Sequence, residues 1–199
     1  LDSVQRVIDL APETLITGHG EPVRGGEVIR AMLTRMRDAT QYLRDRTFEG
    51  MNEGLTLWEL METITLPAEL AIPQGHGKVP WIVRAIWEEH LGWFRYESST
   101  ELYSVPPQAV FSDLVDLAGG SAPVLDRARQ LLAAGKPLHA LHLAEAISAK
   151  ASDNLAALEI QLTAQKHLLD RAGCENFSEV RWLESEIRRL EEAVAGAGQ

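Results

Sequence analysis

Six histidines and one cysteine are the side chains of this sequence best suited to binding a metal or attacking a substrate. His19 stands in the run Glu13-Thr-Leu-Ile-Thr-Gly-His-Gly-Glu-Pro22. Leu15 and Ile16 read as the end of a short buried strand, and Gly18 and Gly20 permit a tight turn from which the imidazole projects. That is the setting of one metal ligand. A catalytic zinc takes about three protein ligands and keeps an open position, and the chain contains no His-x-His-x-Asp-His, His-Glu-x-x-His or Cys-x-x-Cys cluster. His76 lies in a second glycine-flanked context, Ile72-Pro-Gln-Gly-His-Gly-Lys-Val-Pro80, a loop by its prolines and glycines. It is either a plain loop residue or a second site residue able to donate a proton. His139 and His142, three residues apart with Glu145 extending the row, have a spacing that can ligate a metal, although such rows on polar helix faces are usually solvated. Cys174 reads as an ordinary residue near a helix end.

The elements that must position these residues are almost all helical. Residues 2–10 fit an amphipathic helix stopped by Pro12, ahead of the short strand that ends near His19. A lone strand cannot satisfy its edges, so the first ~20 residues are expected to pack on the helices that follow, leaving part of their apolar surface exposed. Residues 26–51 carry Val28, Met32, Met36, Ala39 and Leu43 at three- and four-residue steps, flanked by Ile29, Leu33 and Phe48. A helix there reaches nearly 40 Å at ~1.5 Å per residue, longer than its own core requires, and its broad apolar stripe calls for partners on more than one side.

Thr56-Leu-Trp-Glu59 has the pattern of a capping box opening a short helix, and another turn starts at Leu66-Pro67. Residues 81–91 are read as a helix with Ile82, Ala85, Ile86 and His90 or Leu91 inward. Trp58, Trp81, Trp87 and Trp93 suit an interhelical core or an interface better than a substrate platform. A helix is expected from Pro106-Pro107 to Ala118, then helices over 122–134, 137–150, 154–171 and 178–195. Gly135 at a bend, Ala140 five residues later and Ser152-Asp153 in the next turn resemble tetratricopeptide packing over about one and a half repeats of ~34 residues. The fold class is therefore mainly α: a long helix in a bundle, then tetratricopeptide-like hairpins, with a short α-β remnant at the start.

Composition removes several function classes. Asp and Glu total 29 against 19 Lys and Arg, a net charge of −10, which repels a polyanion and argues against nucleic acid as a partner. One cysteine cannot form an internal disulfide, so nothing points to an oxidising compartment. No apolar run approaches the ~18 residues of a membrane span and no signal peptide opens the chain. The cytoplasm is the default compartment, with a secreted or periplasmic parent left open. A solitary candidate ligand and a first residue that is leucine lead us to expect the carboxyl-terminal piece of a longer enzyme, cut within the last unit of its catalytic domain.

Four segments, in order, carry a family resemblance: Arg37-Asp-Ala-Thr-Gln-Tyr-Leu-Arg-Asp45, Met51-Asn-Glu-Gly-Leu-Thr-Leu57, Leu66-Pro-Ala-Glu-Leu70 and Arg84-Ala-Ile-Trp-Glu-Glu-His-Leu-Gly-Trp-Phe94. Together with a later Gly-Gly-Ser-Ala-Pro-Val-Leu125 run, the chain resembles the dimerisation region of alkyl sulfatases of the metallo-β-lactamase superfamily over residues 14–150. The resemblance implies three parts: residues 1–24 as the end of a β-lactamase-like catalytic domain, 25–105 as the helical dimerisation region and 106–199 as the tetratricopeptide-like region. It also implies a homodimer with intertwined long helices, and a parent that uses two zinc ions to hydrolyse sulfate esters of alkyl chains, a small-molecule ester substrate. His19 would be the last metal ligand of that parent, and this piece by itself would be inactive. Two departures stand out. Family members carry a pair of tyrosines before the glycine that aligns with Gly77, where this chain has Gly75 and His76. Many also continue into a lipid-carrier-like domain, whereas this sequence ends at Gln199. The alternative reading is a tetratricopeptide-like protein-interaction adaptor with no catalytic role.

Overall fold

In the computed structural model, which describes residues 1–197, the first helix α1 (Asp2–Asp9) is followed by a two-stranded antiparallel ribbon, β1 (Thr14–Leu15) with β2 (Val23–Arg24). Thr14 pairs with Arg24 and Leu15 with Val23, so the strand expected near His19 is short and reaches only a second short strand. The long periodic run becomes α2 (Gly26–Asn52), 27 residues in one helix. Its start is tied to the ribbon, because the Gly25 N–H donates to the Glu13 carbonyl at 3.0 Å and the Gly26 N–H to the Glu13 carboxylate at 3.2 Å. Ile8, Ile29 and Leu33 form a small buried cluster with Val4, Val7, Leu15 and Val23 against it. Arg37 also reaches the Gln5 side chain at 2.8 Å. The opening residues thus pack on the first turns of α2, while Leu10 and Ile16 remain 78% and 76% exposed.

The second half of α2 meets α3 (Leu57–Thr63) and α4 (Val79–Leu91). Leu43, Leu57, Leu60, Ile64, Val79, Val83, Ile86 and Trp87 form the larger core of the first unit, Leu1–Arg95. The phase of α4 differs from the sequence reading. Val79, Val83, Ile86 and Trp87 point inward, whereas Ala85 and His90 are exposed. The indole explains the rotation: burying Trp87 removes far more apolar area from water than burying Ala85. The stripe on α2 also divides. Ile29, Leu33, Ala39 and Leu43 are buried, but Val28, Met32 and Met36 stand 60%, 41% and 48% exposed.

Residues of the second unit, Tyr96–Gln199, begin with two 3-10 turns, Ser99–Leu102 and Pro107–Val110. The helix expected from Pro107 onward is therefore a 3-10 turn leading into the short α5 (Phe111–Leu117). Proline lacks an N–H and fixes φ, which suits a tight first turn better than a long helix start. Then α6 (Ser121–Ala133), α7 (Pro137–Lys150), α8 (Leu155–Ala172) and α9 (Phe177–Ala197) follow, each packed on its predecessor. Ala128, Ala140, Ala144, Ala157 and Ala164 are wholly buried, and their small side chains let the helix axes approach closely. The bend at Gly135 needs φ of +71°, which glycine adopts without a Cβ penalty. Gln161 is buried with a partner, its amide donating to the Ser148 hydroxyl at 2.7 Å. Asn154 caps α8 by accepting the Ala157 N–H at 3.0 Å.

Two junctions in the first unit have measurable consequences. Gly50 lies where α2 meets α3, and a methyl there would overlap the Leu60 Cδ2 methyl. Gly50→Ala is expected to destabilise this unit by about 1–3 kcal/mol, as overpacking does; an unchanged urea midpoint would contradict that packing. Thr56 and Glu59 form a reciprocal capping box. The Thr56 backbone N–H, and after it the Thr56 hydroxyl, hold the Glu59 carboxyl below its ordinary value. The folded form thus favours the carboxylate, so its contribution is present above the unfolded value and lost as pH falls through the folded one. Thr56→Ala should cost about 1 kcal/mol at neutral pH and weaken the acid-side fall of the melting temperature. Parallel melting-versus-pH curves for the two proteins would count against this.

Candidate functional site

The two Gly-His-Gly segments, 57 positions apart in sequence, meet in space. The rings of His19 and His76 stack with centroids 4.8 Å apart and planes inclined by 20°, within the range of favourable aromatic pairs. Each comes from a loop whose anchors explain the meeting. The His19 loop joins β1 to β2, and the ribbon is fixed to α2 through Glu13, Leu15 and Val23. Gly20 takes φ of +82° within that turn. The Thr17 hydroxyl donates to the His19 carbonyl at 2.5 Å and closes the loop on itself. The His76 loop runs from the 3-10 turn Ala68–Leu70 into α4, and Gln74 secures it by accepting the Val79 N–H at 2.9 Å. Both imidazoles are exposed.

Thr17 and Gln74 escaped the sequence reading. Their only signal was proximity to the Gly-His-Gly segments, and hydrogen bonds back to a carbonyl or to a helix's first N–H cannot be told from solvated side chains without coordinates.

Chemically, the pair presents two imidazoles side by side on an open surface. His19 offers one nitrogen ligand, and among the described residues no group of three His, Cys, Asp or Glu is placed to hold a metal ion. These residues by themselves do not fit a zinc pair, since a catalytic zinc alone takes about three protein ligands. His139 and His142 add nothing to this site. Both are exposed on α7, and His142 lies 3.4 Å from Glu145 in a solvent-facing i,i+3 pair. His90 sits elsewhere, its Nδ1 2.8 Å from the Ile86 carbonyl and its ring edge-on to Phe48 at 4.5 Å. Cys174 is exposed in the turn between α8 and α9. Among the tryptophans, Trp87 is core, while Trp58, Trp81 and Trp93 are 51%, 40% and 69% exposed. No helix among the described residues is long and apolar enough to cross a membrane.

Comparison with known proteins supplies the context. The alkyl sulfatase dimerisation family matches residues 56–183, which include His76 and leave His19 outside. A linear primary-alkylsulfatase from a Pseudomonas species is 34% identical over 128 residues, covering 62% of this chain and 24% of that protein. An (R)-specific secondary-alkylsulfatase from Pseudomonas is 29% identical over 161 residues, 78% of this chain and again 24% of the relative. The chain thus spans about a quarter of the length of these curated relatives. Among solved structures, the stereoselective inverting sec-alkylsulfatase Pisa1 from Pseudomonas superposes with a TM-score of 0.78 at 26% identity, over 97% of this chain and 30% of its own. Shared architecture across both units, with the family match over more than half of the sequence, leads to one assignment: this chain belongs to the alkyl sulfatase dimerisation family.

Proposed function

We propose that this chain is the assembly region of a metal-dependent hydrolase of sulfuric esters, and that it lends His19 and His76 to the catalytic centre of that enzyme. In this reading the chain forms a homodimer, its residues 1–24 are the last piece of a β-lactamase-like catalytic domain, and 25–105 and 106–199 are its two helical parts. His19 serves as one ligand of a zinc pair whose other ligands lie outside these 199 residues. The metal ions would supply Lewis-acid stabilisation of developing negative charge. His76 stands where family members have tyrosine, and its role is to donate a proton to the departing oxygen of a small-molecule ester.

The single observation that carries the reading is the His19–His76 stack. Two loops far apart in sequence, each flanking its histidine with glycines, converge on one point, and convergence of ionisable groups on exposed loops is how a rigid scaffold builds a site. The acidic surface agrees with a small-molecule substrate and gives no footing to nucleic acid. A free-standing tetratricopeptide-like adaptor is the less favoured alternative, because the likeness to alkylsulfatases extends over nearly the whole chain.

Alanine variants of the full-length enzyme separate the two roles. His19→Ala is expected to release metal, read as zinc content by elemental analysis, and to abolish turnover. His76→Ala should leave zinc bound and lower kcat by about 10²–10⁴-fold, the range for loss of a general acid. Unchanged turnover and zinc content in both variants would remove these residues from the site.

A further inference from the structure

In the second unit α5 is apolar on two sides and buried on one. Phe111 and Val115 turn into the core, where Val115 joins Val124, Ala128 and Ile147. On the other side Val110, Leu114 and Leu117 follow at steps of four and three residues and stand 46%, 54% and 84% exposed. A helix with apolar residues all round is ordinarily enclosed, so α5 carries one face more than its own unit uses. The segment leading into it adds Tyr103 and Val105, both exposed. The charge in this stretch has a single sign. From Tyr96 to Asp126 the sequence holds no Lys, Arg or His, and it carries Glu97, Glu101, Asp113, Asp116 and Asp126. Asp116 is paired with Lys150 of α7 and Asp126 with Arg129 of its own helix, while Glu101 closes the capping box of the Ser99–Leu102 turn. The exposed Asp113 carboxylate, next to Leu114, has no ion-pair or hydrogen-bond partner among the described residues.

We propose that Val110, Leu114 and Leu117, with Asp113 beside them, form the docking face for a cationic amphipathic helix of another protein. Anchors at i, i+4 and i+7 are the spacing by which one helix reads the apolar stripe of another. Charge then selects the occupant. A second copy of this chain would bring the same carboxylates against Asp113, and an anionic lipid surface or a nucleic acid would be repelled as well. A neutral apolar partner would cover the leucines but strip water from Asp113 without replacing it, which costs free energy. A stripe of leucine-like side chains flanked by Lys or Arg answers both the apolar and the acidic part of the face. The proposal does not depend on the role of His19 and His76, which belong to the other unit.

Calorimetric titration of the 199-residue chain at physiological salt tests this with three synthetic helical peptides. One places leucine at helical spacing among lysines, the second keeps the leucines among glutamates, and the third replaces the leucines of the first by serine. Only the leucine–lysine peptide is expected to bind. The double variant Leu114→Ser and Leu117→Ser should raise its dissociation constant about tenfold or more, the effect of losing central anchors, and Asp113→Lys should weaken it as well. These side chains are exposed, and circular dichroism checks that each variant keeps its helix content. No binding of the leucine–lysine peptide, or binding that the variants leave unchanged, would overturn the proposal, the latter by showing diffuse attraction to an acidic protein. Equal binding of the leucine–glutamate or the serine–lysine peptide would overturn it too. If sedimentation shows that the double variant dissociates a dimer of the chain while the peptide's dissociation constant stays the same, the occupant is a second copy and the proposal fails.

Discussion

The packing of α2 governs the rest of the first unit. A 27-residue helix is about 40 Å long, and the neighbours it finds within its own unit cover it in two stretches. The opening residues take its first turns through Ile8, Ile29 and Leu33, and the α3–α4 pair takes its last turns through Leu43, Leu57 and Val83. Both histidine loops hang from these contacts. The ribbon bearing His19 is fixed to the start of α2, and the loop bearing His76 ends in α4, which packs on the same helix. The 4.8 Å stack is therefore a consequence of two separate dockings on one rigid rod. Disturbing either docking would separate the imidazoles without touching them.

Much of this was legible from residue types. The extent of α2, the capping box at Thr56, the breaks at Gly92 and Gly135 and the four helices after Gly120 follow from periodicity and local backbone chemistry, which act over a few residues. What escaped was set by partners distant in sequence. Periodicity marked Val28, Met32 and Met36 in one stripe with Ala39 and Leu43, but only the positions of α1 and the β1–β2 ribbon decide that the core at the start of α2 takes Ile29 and Leu33 instead of the first three. The inward face of α4 turned for the same reason, since Trp87 needed a cavity supplied by several elements. His19 and His76 were each recognisable by their glycines, yet nothing in either segment records that the other lies beside it.

Chemistry and assembly have different physical needs. A hydrolytic site needs several convergent ligands and donors, and the proposed contribution of this chain is two imidazoles on short loops held at a helix start and a helix entry. Association needs apolar area on a rigid surface, and α2 leaves Val28, Met32 and Met36 exposed in a molecule whose net charge of −10 opposes unspecific contact between copies.

Native mass spectrometry of the 199-residue chain at micromolar concentration tests self-association most directly. Self-association predicts a dominant species at twice the 22.0 kDa chain mass; a spectrum holding only the 22.0 kDa species across the accessible concentrations would contradict it.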